Sequence, residues 1–257
     1  MEKTLNSVFE QVYLDFEYIV IDGGSVDGSA ELLNQHKSQF VYWISEPDNG
    51  IYQAMNKGVL KASGEYLIFL NSGDCFANPA VLETVFASTH EVDIMYGNLL
   101  WNSHGSTTIE TFPDTVQFSH FYTLQFLPHQ ASFIRKSLFD KLGPYDENQR
   151  IISDWIFFLL ATCKFNCTTK HLKYVISICT RDGISCDPVY IDSILESKRE
   201  QLQKHFPAFL NDYQELVNLK DKVNMLQQLL GLRVHQKLQK VFGVFNRRIS
   251  HANGKGK

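Results

Sequence analysis

The sequence predicts an α/β fold, a sheet flanked by helices, on three observations. A short apolar strand, a glycine-rich turn and a helical stretch recur in that order from Phe16 onward. Each early strand ends in small and acidic residues, the pattern of α/β sheets whose ligands sit beyond the carboxyl ends of the strands. Apolar residues make up 44% of 257 positions and aromatic residues 13%, enough to bury one substantial core. Strands that alternate with helices further imply a parallel sheet covered on both faces.

The elements follow in order. FEYIVIDGGSVDGSAELLNQH, from Phe16, gives a strand, a turn and a helix opened by Ser25 or Asp27 as caps. FVYWIS (Phe40 to Ser45) is the second strand, EPDNG its turn and IYQAMNKGVLKA the next helix. EYLIFL (Glu65 to Leu70) is the third strand and leads into NSGD. Pro79 suits a helix start, with Ala80 to Ser88 helical, and Val92 to Trp101 reads as a strand. Asn102 to Thr123 is weakly patterned, an irregular or antiparallel insertion. ASFIRKSLFDKLG, from Ala131, reads as a strand end and a helix stopped by Gly143 and Pro144. Ser153 caps a strongly apolar helix to Cys163, and Tyr174 to Cys179 is a last strand. Beyond Asp187 the pattern is helical, broken at Pro207, which divides the chain into 1–187 and a helical extension, 188–257.

The formal net charge of −4 does not mark a nucleic-acid binder. From Val217 to the end, however, nine Lys or Arg face the single acid Asp221. Val223, Leu226, Leu230, Val234, Leu238, Val241 and Phe245 form one stripe of that helix, with Arg233, Lys237, Lys240, Arg247 and Arg248 around it. Such a helix suits peripheral contact with an anionic membrane; the alternative is packing on the catalytic domain or a second subunit. The five cysteines include no CxxC pair and read as reduced, mostly buried thiols. With no signal-peptide pattern and no run of about 18 apolar residues, the expected location is the cytoplasm, at most against the inner face of the membrane.

Three loops carry the chemistry: Asp22 with Gly23, Gly24, Ser25 and Asp27; Glu46 with Asp48, Asn49 and Gly50; and Asn71 with Ser72, Gly73 and Asp74. Each alone is turn chemistry. Together they predict a carboxylate-lined pocket that would repel a bare diphosphate, so a divalent cation, Mg²⁺ or Mn²⁺, is expected to mediate. No GxGxxG follows the first strand and no P-loop lysine follows Gly23, which disfavours dinucleotide oxidoreductases and ATPases.

Four ordered runs, IVIDGGSVDGS, SEPDNGIYQAMNKGVLKASGEYLIFLNSGD, PHQASFIRKSLF and ISDWIFFLL, resemble the signatures of the family 2 glycosyltransferases with the GT-A fold, especially the branch that builds bacterial surface polysaccharides. The resemblance spans about Glu2 to Cys186. It implies a mixed sheet flanked by helices, a nucleotide-sugar donor and a saccharide or lipid-linked acceptor. By the same resemblance Asp22 contacts the nucleotide base, Ser25 and Asp27 close the loop around it, and Gly24, Asp48, Gly50, Asn56, Lys57, Asn71 and Ser72 belong to the donor site. Asp74 is the metal ligand, Asp154 the catalytic base, and His129, Gln130 and Trp155 lie on the acceptor side. Two departures stand out. The chain begins inside the helix that normally follows the family's first strand, and Gly73 replaces a common acid. The expectation is an inverting glycosyltransferase; the alternatives are an inactive GT-A-like binding protein without that strand, and a nucleotidyltransferase.

Overall fold

The structure, a computed structural model, describes residues 1–87, 91–103, 105–125, 127–181 and 183–252, with side chains described as far as Gly231 in the final helix. The chain divides into two compact units, Met1–Gln201 and Leu202–Lys257.

The first unit opens with α1 (Glu2–Phe9), β1 (Ile19–Asp22), α2 (Ser29–Gln35), β2 (Tyr42–Ser45), α3 (Ile51–Lys61) and β3 (Tyr66–Leu67). It continues through β4 (Cys75–Phe76), α4 (Val81–Phe86), β5 (Ile94–Ser103), β6 (Ser106–Glu110), α5 (Phe118–Tyr122), β7 (Ser132–Arg135) and α6 (Ser137–Leu142). Next comes α7 (Ser153–Leu159), which runs into a π-helical turn (Leu160–Lys164), then β8 (Thr169–Thr180) and α8 (Pro188–His205). The second unit holds α9 (Pro207–Ala252). The stripe from Val234 to Phe245 and the bases from Arg233 onward lie outside the described side chains. Among the described residues no helix is long and apolar enough to cross a membrane.

The sheet is mixed rather than parallel throughout. β1 and β2 form a parallel pair, and a separate six-stranded ladder runs β3-β7-β5-β8-β4 with β6 on β5. Only β5 and β8 are parallel within that ladder. The alternation of strand and helix that predicts parallel pairing stops after β3: no helix separates β3 from β4, which lie at opposite edges of the ladder, and β6 folds straight back on β5 as an antiparallel hairpin. The expected insertion after Asn102 is therefore largely this hairpin. No hydrogen-bonded strand joins β1 to β3 among the described residues.

β5 is the core strand. Ile94, Met95, Tyr96 and Leu99 are fully buried there, against Ile134 and Phe133 of β7 and Ile176 of β8. Gly97 marks the register shift between β5 and β8, because a Cβ at that position would lie 2.4 Å from Ile176 Cγ1 and 2.7 Å from the Tyr174 carbonyl oxygen. Helix α1 bridges the two sheets. Its Leu5 packs with Leu33 and Phe40 beside β1 and β2, while Thr4 Oγ1 accepts the Gly73 N–H and Ser7 Oγ accepts that of Phe76.

Helix α3 begins where local chemistry satisfies its free amides: Asp48 Oδ1 accepts the Gly50 N–H at 2.9 Å, and Gln53 Oε1 reaches back to the Asn49 N–H at 2.9 Å. Its buried Asn56 clasps a distant segment. The amide nitrogen donates to the Tyr145 carbonyl and to Glu147 Oε1, and the amide oxygen accepts the Tyr145 N–H, each at 2.9 Å. Truncation to Asn56→Ala leaves both polar groups of Tyr145 unpaired in a buried place, so we expect a loss of about 3 kcal/mol. Urea unfolding should show it as a lower midpoint at constant slope.

Candidate functional site

Asp22 ends β1 and organises the first loop. Its Oδ2 accepts the N–H groups of Gly24 (3.2 Å) and Ser25 (3.0 Å) and the Ser45 hydroxyl (2.6 Å), while Oδ1 accepts the Ser25 hydroxyl at 2.5 Å. Burial raises the pKa of this carboxyl, but the hydroxyls of Ser25 and Ser45 and the two amides outweigh it and hold it below the usual carboxylate range. The base-contacting residue implied by the family resemblance is thus already the acceptor at the centre of its own loop. Gly24 is required there: its φ is +81°, and a Cβ would sit 3.0 Å from the Pro47 nitrogen. Asp27 is exposed and accepts the Ser29 N–H at 3.0 Å, so it assists the start of α2 although Gly28 is the cap.

The second loop packs on the first, since a Cβ on Gly23 would meet Asp48 Oδ2 at 2.6 Å. Gly50 caps α3 at a φ of +128°. Lys57, about two helical turns on, pairs with Glu46 at 2.7 Å on the partly exposed face, and Asn56 is wholly engaged with Tyr145 and Glu147. The structure therefore brings Asp22, Gly24, Asp48 and Gly50 into one edge and gives Asn56 a structural partner.

Asp154 lies in the first turn of α7, where a negative charge is favoured by the helix dipole. Ser153 is the first helical residue rather than the cap, which is Ile152. The Tyr52 hydroxyl stands 2.6 Å from Asp154 Oδ1 and 2.7 Å from the Ile151 carbonyl oxygen. So α3, which starts at the second loop, also touches the expected base. Trp155, expected on the acceptor side, is instead enclosed at 2% exposure: its N–H donates to the Gln125 carbonyl at 2.6 Å, its ring meets Phe121 edge-on, and Lys198 Nζ lies 5.3 Å from its centroid. An aromatic beside an apolar run was drawn into the core.

Asp74 is buried beside β4. Burial pushes its carboxyl up, against the Cys179 thiol, the Asn71 N–H and the charge of His129, all of which lower it. Asn71 is half-buried and Ser72 exposed. His129 is buried at 5% exposure with its Nε2 unpartnered, and its ring stacks on Phe69 with centroids 6.0 Å apart. Gln130 is half-buried, its carbonyl accepting the Ser177 hydroxyl at 2.5 Å. Phe69 also meets Tyr145 at 5.7 Å, and Tyr145 meets Tyr52 at 5.5 Å, so aromatic contacts lead from His129 to the neighbourhood of Asp154. Among the described residues, no group of three or more His, Cys, Asp or Glu side chains converges as a metal cage.

Sequence reasoning missed Tyr52, Tyr145, Glu147 and Lys198. Tyr52 falls at an apolar position of α3 and reads as core from its spacing; only its distant partners reveal it. Because Asp22 is held below its ordinary value in the fold, its contribution to stability is present above the unfolded value, about 3.9, and is lost as pH falls through the folded one. Asp22→Asn should melt lower than the parent at neutral pH and lose less on acidification below about pH 4, which thermal unfolding across pH will read.

The chain is similar to known proteins in both sequence and fold. The model described as glycosyl transferase family 2 matches residues 1–143. An uncharacterized glycosyltransferase of Mycobacterium tuberculosis is 37% identical over 168 residues, 63% of this chain and 63% of that protein. A PGL/p-HBAD biosynthesis glycosyltransferase of Mycobacterium bovis is 30% identical over 180 residues, 67% of this chain and 68% of that protein. The chain thus spans about two thirds of the length of these curated relatives, and 63% of the first. Among solved structures, S. aureus TarS residues 1–349 in complex with UDP superimposes with a TM-score of 0.59 at 18% identity, over 79% of this chain and 61% of that one. With a mixed sheet flanked by helices in the GT-A manner, and with more than half of its length matched by the family's model, this chain belongs to glycosyl transferase family 2.

Proposed function

We propose that the protein is an inverting glycosyltransferase that moves a sugar from a nucleoside diphosphate to a hydroxyl of a saccharide or lipid-linked acceptor during surface-glycan synthesis. The observation that carries this reading is the helix α3, whose first turn abuts the loop of Asp22 and Asp48 and whose Tyr52 holds Asp154. A donor-side edge and a carboxylate suited to base chemistry are thereby built on one rigid element. The family match and the surface-glycan name of the M. bovis relative support the substrate class.

In this reading Asp154 takes the proton from the acceptor hydroxyl as its oxygen attacks the anomeric carbon. The bond to the diphosphate breaks on the opposite face, and configuration inverts. Gly24, Ser25, Asp27, Asp48, Gly50, Lys57, Asn71 and Ser72 line or shape the donor side, with Asp22 acting by holding the first loop. A positioned carboxylate base contributes roughly 10²- to 10⁴-fold. We expect Asp154→Asn to lower kcat by that order while leaving donor KM within a few-fold, in a radiolabelled sugar-transfer assay with a panel of nucleotide sugars beginning with UDP-sugars. Unchanged turnover would remove Asp154 from the role.

Mg²⁺ or Mn²⁺ fits the residues beside β4. Asp74 offers one carboxylate, and the unpartnered Nε2 of His129, whose ring acts electrostatically on Asp74, offers a buried nitrogen; phosphate oxygens and water would complete such a shell. A bound cation would supply charge stabilisation to the leaving diphosphate. His129 then acts on the donor side rather than the acceptor side, and Gln130 is left as the acceptor-side residue of that segment. Mn²⁺ with UDP should raise the melting temperature of the parent, and the Asp74→Ala protein should show the rise from neither alone nor both. An equal rise in the two proteins would exclude Asp74 as ligand.

For the extension we propose contact with anionic membrane through the basic part of α9, which its sequence supports. Pelleting with phosphatidylglycerol-containing vesicles, but not with neutral ones, is the expected result, and equal or no binding would refute it.

A further inference from the structure

A phenol has one proton, and the Tyr52 hydroxyl faces two acceptors: Asp154 Oδ1 at 2.6 Å and the Ile151 carbonyl oxygen at 2.7 Å. Tyr52 is buried at 5% exposure, and its ring is fixed against Tyr145. The backbone amide of Asp154 also faces the phenol oxygen. Asp154 itself is half-exposed, and Oδ1 is the oxygen that Tyr52 occupies.

We propose that Tyr52 is a positioning residue for Asp154, one that pins Oδ1 so that Oδ2 is the oxygen turned to the acceptor hydroxyl. The inference rests on the reading of Asp154 as the base. While the carboxylate is ionised, the phenol proton points to Oδ1 in a charge-assisted hydrogen bond. The acceptor's O–H bond breaks, an Oδ2–H bond forms, and Oδ1 loses its charge. The phenol keeps its own proton throughout and turns it toward the Ile151 carbonyl, the acceptor now of comparable strength. Burial first, and the charge of Asp154 second, push the phenol pKa far above its ordinary value, as befits a donor that never ionises.

The other groups that face Asp154 are known. Tyr145, from the segment clasped by Asn56, has a buried hydroxyl without a hydrogen-bond partner. Lys198 of α8 is buried, donates to the Leu124 carbonyl at 3.1 Å and interacts with the charge of Asp154. Neither hydrogen-bonds the carboxylate. Tyr52 is the neighbour whose loss changes what the carboxylate accepts.

The test is the pH profile of kcat/KM for Tyr52→Phe, which keeps the ring and removes the hydroxyl. A hydrogen-bond donor to the charged form is lost in this variant, so the acid limb should move up. We expect kcat at neutral pH to fall about tenfold to a hundredfold, with donor KM unchanged. Site-specific replacement of Tyr52 by difluorotyrosine, a stronger donor of the same shape, should move the acid limb down; it also serves if the phenylalanine variant fails to fold. An acid limb unmoved in both proteins overturns the proposal. The Asp154→Asn protein separates the two levels: if that change abolishes transfer while the Tyr52 variants keep the parent profile, only the role of Tyr52 fails, and if Asp154→Asn is active, the base assignment itself has failed.

Discussion

The site depends on one constraint: a single helix holds a segment that is about ninety residues away in sequence. Asn56 of α3 pairs with both backbone polar groups of Tyr145, Gln53 and Asn56 share the Glu147 carboxylate, and Tyr52 reaches Ile151 and Asp154. Residues 145–152 carry no regular structure before α7, so these side chains replace the ladder that would otherwise fix them. The start of α3 is in turn set by Asp48 and Gly50, on the edge proposed for the donor. A shift of the helix would move both ends of the proposed reaction together, which is how a rigid element keeps two substrates in register.

The environments of the carboxylates differ as their proposed tasks require. Asp22 is surrounded by donors and stays strongly ionised, a fixed negative centre for its loop. Asp74 is short of donors, so burial disfavours its charge. A carboxylate in that state gains from any cation that displaces the deficit, and the orphaned imidazole nitrogen nearby has the same need. Identical side chains thus diverge through the number of N–H and O–H groups that face them.

Much of this was legible in the amino-acid sequence because it is local. The loop at Asp22 follows from an acid beside glycines and serines, the start of α3 from the turn EPDNG before it, and the end of α6 from Gly143. What was not legible is what distant partners decide. Asn56 looks like a polar residue on a helix and is a buried clasp, Tyr52 looks like core and carries a hydroxyl contact, and Trp155 could pack or face a ligand and packs. The parallel sheet inferred from alternation failed where helices no longer separate the strands, between β3 and β4 and at the β5–β6 hairpin. Periodicity reports which face of an element is apolar; it does not report which far segment that face meets.

The separation of β1 and β2 from the six-stranded ladder has a dynamic consequence. Two four-residue strands have little cooperativity of their own, and here they lean on α1 and α2 through the small cluster of Leu5, Leu33 and Phe40. The loops at their ends rest on this two-stranded pair and not on the six-stranded ladder, so local opening there need break few strand-pairing hydrogen bonds. A ligand that bridges those loops would therefore add cross-links where the sheet itself supplies few, and some of its intrinsic affinity would be consumed by whatever ordering that requires.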